Sequence, residues 1–238
     1  MKKIIMSILI AITSIMFSPS IIFADDDSDN AILISTEQIT LYKSGQQTSR
    51  VSESKEFTLK TYNDNGILIY SINVEDEEYR ESAMDYINML SGDSSFVIEP
   101  RAPLAPGDSE YHNDEQSHED AVSYAWKRNT ASTWYNNFEG GQATGWYGDG
   151  NCDYIVLNQT ISIGGIFVSV SWPSSISGGS NSASWQSQPI YENVVGASFD
   201  GLQVGGTAFS CTFTECGDVY KGSKVYRPTT CIKFSYFS

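Results

Sequence analysis

From Tyr154 onward, apolar residues recur at every second position between turn signals. This period of two commits the C-terminal part of the chain to β-structure. Ile161 and Ile163 share one face, and Ile166, Val168, Val170 and Trp172 share another. The parity flips at Gly164-Gly165, where a bulge or tight turn is expected. Val195, Ala197 and Phe199 alternate, Asp200-Gly201 reads as a turn, and Leu202 and Val204 return. Phe209, Cys211 and Phe213 share a face, Gly222-Ser223 supplies a further turn, and Ile232, Phe234 and Tyr236 close the series. Ser174 to Ser184, rich in Ser and Gly, reads as a loop. Short strands at this spacing predict an antiparallel β-sandwich over residues 121–238. Its first element is expected to be a helix, capped by Ser117, with Ala121, Val122, Ala125 and Trp126 on one face and Lys127-Arg128 at its end.

The N-terminal part has a different composition. All four Cys and all five Trp lie beyond residue 120. Gln38 to Tyr42 and Phe57 to Tyr62 alternate, Asn63-Asp64-Asn65-Gly66 has turn chemistry, and Ile67 to Val74 returns as a strand. Tyr79, Ala83, Tyr86, Ile87 and Leu90 follow at helical spacing, after the acidic start Asp76-Glu77-Glu78 and before Gly92. Ser95 to Ile98 reads as one more strand. Residues 25–99 are thus expected to form a small ββαβ-like α+β module, and the fold class is mainly β with some α. Pro100 to Gly107 carries three prolines and Asp108 to Asp120 is polar and acidic, so 100–120 reads as a linker. An exposed Arg101 there would invite proteolysis and release of an N-terminal pro-region.

Met1-Lys2-Lys3 and the apolar run Ile4 to Phe17 resemble a secretory signal peptide ending near Ala24. Export would bring an oxidising compartment, in which Cys152, Cys211, Cys216 and Cys231 are expected to form two disulfides. With the signal removed, no stable membrane insertion is expected. The formal net charge of −15 repels phosphate backbones, so nucleic acid is excluded as a partner.

Chemistry is sparse. His112 and His118 are the only histidines and flank a polar stretch with no metal spacing. Asp149, Asn151 and Asp153 alternate like the start of a calcium loop, but Tyr154 stands where Gly is needed and Thr160 where Glu is needed. No cofactor fingerprint occurs. Glu139, Asp149, Asp153, Glu192 and Asp200 could supply a hydrolase carboxylate pair, although no spacing selects one. Trp134-Tyr135 and Trp146-Tyr147 lie among Asn, Gly and Gln in expected loops, where aromatic planes can stack on sugar rings. The leading expectation is an exported, non-catalytic binder of glycan or protein. A toxin released from a pro-region and a carboxylate hydrolase are the alternatives.

Overall fold

The computed structural model describes residues 31–43, 53–92, 106–171, 177–178 and 181–235. The expected signal peptide, the Ser95 to Ile98 strand, the proline-rich run at 100–105 and Trp172 lie outside the described residues. The fold is mainly β, antiparallel, with one short helix. In chain order the elements are β1 (Ile32–Tyr42), β2 (Ser54–Asp64), β3 (Ile67–Ile72), a 3-10 turn at Glu77–Tyr79 leading into α1 (Arg80–Leu90), β4 (Ser109–His118), β5 (Ala121–Ala131), β6 (Tyr135–Trp146), β7 (Tyr154–Ser171), β8 (Ser177–Gly178), β9 (Ser182–Gln186), β10 (Val194–Lys221), β11 (Lys224–Tyr226) and β12 (Thr229–Ser235).

Local chemistry explains the hairpins. Asn65 and Gly66 both adopt positive φ, 50° and 104°, as a tight β2–β3 turn requires. The Gly66 N–H also donates to Asn63 Oδ1 at 2.7 Å. Gly222, at φ 61°, turns β10 into β11. The parity flip at Gly164-Gly165 is an irregular register, with Ala208 facing Gly165 and Ser210 facing Gly164.

Strand order runs β1-β2-β3-β10-β6-β5-β4. β10 then continues to pair β7 on one side and β12 on the other. All these strands therefore belong to one hydrogen-bonded network, joined through β10. The expected Asp200-Gly201 hairpin turn is instead a register break inside β10, between Phe199 and Leu202, opposite β6. Residues before and after the proline-rich run share hydrogen bonds, because β3 pairs β10 from Leu68↔Ser198 to Ile72↔Val194.

Three further expectations are corrected. The Ser117 to Arg128 helix is strand β5, and the polar 109–118 stretch is strand β4, paired to it throughout. The spacing of Ala121, Val122, Ala125 and Trp126 suits two strand faces as well as one helical face. Ala121, Ser123, Ala125, Lys127 and Asn129 point into the larger core, and Val122, Tyr124, Arg128 and Thr130 lie on the opposite, half-buried face, where Val122 packs against the core under α1. β4 buries only Tyr111 along its length, so its sequence carries no apolar alternation. Part of the expected Ser174 to Ser184 loop is β9, paired to β7.

The larger core lies within the folded-over sheet, where Phe138, Trp146, Ile161, Cys211, Phe213 and Phe234 meet. The second core lies under α1, where Ala83, Met84 and Ile87 pack on Ile72, Val74, Ala143 and Val194. Close approach is built into the sequence here. A Cβ on Gly196 would lie 2.2 Å from Ile87 Cγ2, so only glycine lets the helix sit this close to β10.

Candidate functional site

α1 covers only part of its face of the sheet. The helix stops at Leu90, and Ser91-Gly92 rests on the Trp126 indole, whose Nε1 donates to Ser91 Oγ at 3.3 Å. Beyond that point, no described element covers this face of β4, β5, β6, β10 and β7. Directly paired residues in antiparallel strands present their side chains on the same side, so the register defines what the open face displays.

Three cross-strand rows follow one another away from the helix. The first is Tyr111–Arg128–Glu139, with Arg128 Nη1 donating to Glu139 Oε1 at 2.9 Å. The second is Ser109–Thr130–Asn137–Gln203–Ser171, every member uncharged. Ser109 and Thr130 hydroxyls lie 3.0 Å apart in that row. The third is Tyr135–Gly205–Ser169. Next to it, in the β5–β6 turn closed by the Ser132 N–H to Tyr135 O bond of 2.8 Å, stands Trp134, 82% exposed. Gly205 leaves bare backbone between the Tyr135 and Ser169 side chains. A Cβ there would come within 3.1 Å of Trp134 O.

Where the first row meets the helix end, an open cleft of about 310 Å³ is lined by Ser91, Gly92, Trp126, Arg128, Glu139 and Asp200, with Gly66, Leu68, Ser198 and Phe199 completing the wall. The Arg128 guanidinium lies 6.0 Å from the Trp126 ring centre, and Trp126 stacks on Tyr111 at 6.1 Å. The face thus offers an exposed indole at its far end, then neutral hydrogen-bonding groups, then the Arg128–Glu139 pair over the buried Trp126 and Tyr111 rings.

The aromatic expectations divide. Tyr135 lies on the open face and is partly exposed, and the exposed Trp134 stands in the turn beside it. Trp146 is a correction. It is the last residue of β6 and is 3% exposed, packed on Tyr226, with Nε1 donating to Gly150 O at 3.1 Å. Tyr147 is half-buried beside Gly145 and Met84, and burial pushes its phenol well above the ordinary range. The sequence places both pairs among small polar residues. It does not show that β6 dives into the core at its C-terminal end.

The oxygens of the calcium-like stretch at 148–153 have partners within the chain, among its cations and amides. Gly148 O and Gly150 O accept from the fully buried Arg80 at 2.6 and 2.9 Å, and Asn151 O accepts from Lys221 Nζ. Asn151 Oδ1 accepts from Asn193 Nδ2 at 2.8 Å, and Asp153 Oδ2 from the Gly222 N–H at 2.7 Å. Asp149 does not gather with them into a metal-binding group among the described residues.

No bond joins Cys152, Cys211, Cys216 and Cys231 to one another in this structure. Asp153 N–H donates to Tyr220 O, which sets Cys152 beside that end of β10. Cys216 is four residues away along the strand, about 13 Å. Cys211 lies five residues from Cys216, about 17 Å and on the opposite face. Cys216 faces Thr229 and Cys231 faces Thr214, which makes them diagonal neighbours, about 7–8 Å apart. That exceeds the usual Cα span of a disulfide. Burial pushes the Cys152 thiol up to about 11. Burial and the Asp218 carboxylate push Cys216 up to about 12, and burial raises Cys211 further. None of these three is a thiolate nucleophile at neutral pH. His112 Nε2 bonds Glu110 at 2.6 Å, and His118 Nδ1 accepts the Arg227 N–H at 2.8 Å. Both histidines are structural partners.

Of the five carboxylates considered for hydrolysis, Glu139 and Asp200 line the same cleft. Glu192 is buried and paired to Lys60 at 2.6 Å, and Asp153 caps the β10–β11 turn. No protein-family model matches the chain, and no curated protein matches it.

Proposed function

We propose that the protein is an exported, non-catalytic glycan-binding protein whose ligand lies on the open face between Trp134-Tyr135 and the Arg128–Glu139 cleft. One observation carries this reading. In a chain of net charge −15, the middle row of this face is wholly uncharged, and it adjoins a Trp that is 82% exposed. Amides and hydroxyls match the donors and acceptors of a sugar, and an exposed indole offers a plane for its C–H face. The paired guanidinium and carboxylate of Arg128 and Glu139 suit neighbouring hydroxyls.

The test is a glycan array followed by titration of intrinsic fluorescence, with Trp134→Ala and Tyr135→Ala compared to the unaltered chain. Each substitution should reduce glycan affinity at least tenfold while leaving the melting temperature in place. Binding that survives both overturns the proposal. The carboxylate hydrolase is a second reading, favoured by Glu139 and Asp200 lining one cleft. Release of shorter sugars from a bound oligosaccharide, lost in Asp200→Asn, would support it. The pro-region reading loses support, because β3 and α1 are built into the sheet and its second core.

A further inference from the structure

Lys127 is the most completely buried cation in the larger core, with no exposed surface. Its stem crosses from β5 to β10, running over Gly140, whose missing side chain leaves the path open. Nζ lies 2.7 Å from Glu215 Oε2, and donates to Trp126 O and Gly141 O at 3.0 Å each. Glu215 is 2% exposed. Its other oxygen, Oε1, accepts from Gln159 Nε2 at 2.6 Å, and Gln159 is directly opposite it on β7. Phe199 and Phe213 flank the amine, with ring centres 5.5 and 5.6 Å away. The void beside Glu215 is too small to hold water.

An amine and a carboxyl group are thus held in contact, in a dry aromatic site, with a donor fixed on the second carboxyl oxygen. We propose that Lys127 and Glu215 join in an intramolecular isopeptide bond, which staples β5 to β10 across the core. This goes beyond the glycan-binding reading and is independent of it.

The step is a dehydration and needs no oxidant or co-reactant. The Lys127 ammonium gives one proton to Glu215 Oε2 along the hydrogen bond already present. Burial favours this transfer, because it lowers the lysine and raises the glutamic acid, while each partner opposes the shift in the other. The free amine lone pair attacks Cδ. Charge then develops on Oε1, where the Gln159 N–H already donates. Nitrogen passes a second proton to Oε2, the Cδ–Oε2 bond breaks, and water leaves as the C–N bond is completed. Holding the reacting groups in contact supplies an effective concentration on the order of 10⁵ M or more. The dry surroundings disfavour return of the water.

The experiment is mass spectrometry of the full exported chain, purified, reduced, alkylated and denatured. The expected mass is short of the sequence mass by one water, and proteolysis should yield a branched peptide joining Lys127 to Glu215. Lys127→Met, processed identically, should carry its full mass. Gln159→Leu should accumulate the water-depleted form more slowly after refolding. If Lys127→Met does not fold, the mass and branched peptide of the unaltered chain still decide. A full-mass unaltered chain overturns the proposal. So does loss of ammonia with Lys127 joined to Gln159.

Discussion

Gly140 stands directly opposite Lys127 in the β5–β6 ladder, and a Cβ on it would lie 2.3 Å from Lys127 Cδ and 2.6 Å from Trp126 O. The glycine is what lets a lysine stem lie flat across the core. Gly140→Ala should therefore destabilise the protein by about 1–3 kcal/mol, the usual cost of overpacking. Urea unfolding measures this, and an unchanged midpoint would mean that the stem has another path.

The two Trp residues that look alike in sequence should part in experiment. Trp146→Ala empties a site in the larger core and should cost about 3–5 kcal/mol. Trp134→Ala removes an exposed ring and should shift stability by no more than about 0.5 kcal/mol. Thermal melts of the two variants, run side by side, check the contrast.

Arg80 holds four backbone carbonyls, of Val74, Glu75, Gly148 and Gly150. Arg80→Met would leave these acceptors without their donor, at a cost of at least about 3 kcal/mol. The loss should also appear locally, as faster amide exchange at 147–153, because the guanidinium ties that loop to the start of α1.

Alkaline pH should weaken the fold through its thiols. Cys152 and Cys216 have folded pKa values pushed up to about 11 and about 12 from 9.0, chiefly by burial. Above pH 9 the unfolded chain has lost these protons and the folded one keeps them. The folded state then binds more protons, so stability falls as pH rises from 9 through 11 to 12. Each thiol contributes a slope of up to about 1.4 kcal/mol per pH unit over its window. Denaturant midpoints measured from pH 8 to 11 test this. At pH 8, alkylation of the native reduced protein should label the exposed Cys231 first and spare Cys152 and Cys211.

A cut at Arg101 should not release a separate product. β3 pairs β10, and the α1 core includes Ala143 and Val194 from beyond the cut. A chain nicked at an engineered protease site there should elute from gel filtration as one particle, and part only in denaturant. Free halves under native conditions would restore the pro-region reading.

Much of the architecture is legible from residue patterns where one face of a strand is buried. Ile161-Ile163 and Ile232-Phe234 alternate because their neighbours face outward, Ile67 to Ile72 is a short apolar run because β3 is buried on both faces, and Asn65-Gly66 declares its turn by the positive φ it tolerates. Reading fails where a strand is wet on both sides, as in β4, or where its core face is polar. β5 turns Ser123, Lys127 and Asn129 inward, where Ser123 and Asn129 find partners on β6 and Lys127 finds one far along the chain on β10. Ser123 meets Thr144 at 2.7 Å, and Lys127 meets Glu215. No local pattern announces such pairings, so β5 reads as a helix. The open face is half legible. Trp134-Tyr135 stands out by composition, but the row joining Tyr135 to Gly205 and Ser169 exists only through the register of three strands.

β10 reaches across both parts of the sheet, and the early strands depend on it. Leu68 finds its partner at Ser198, and Cys211 finds Phe234 almost at the end of the chain. Little of this molecule can therefore settle while it is still being made. The early strands of such a polypeptide wait for β10 before they find their places, and the sheet then closes slowly and as a whole.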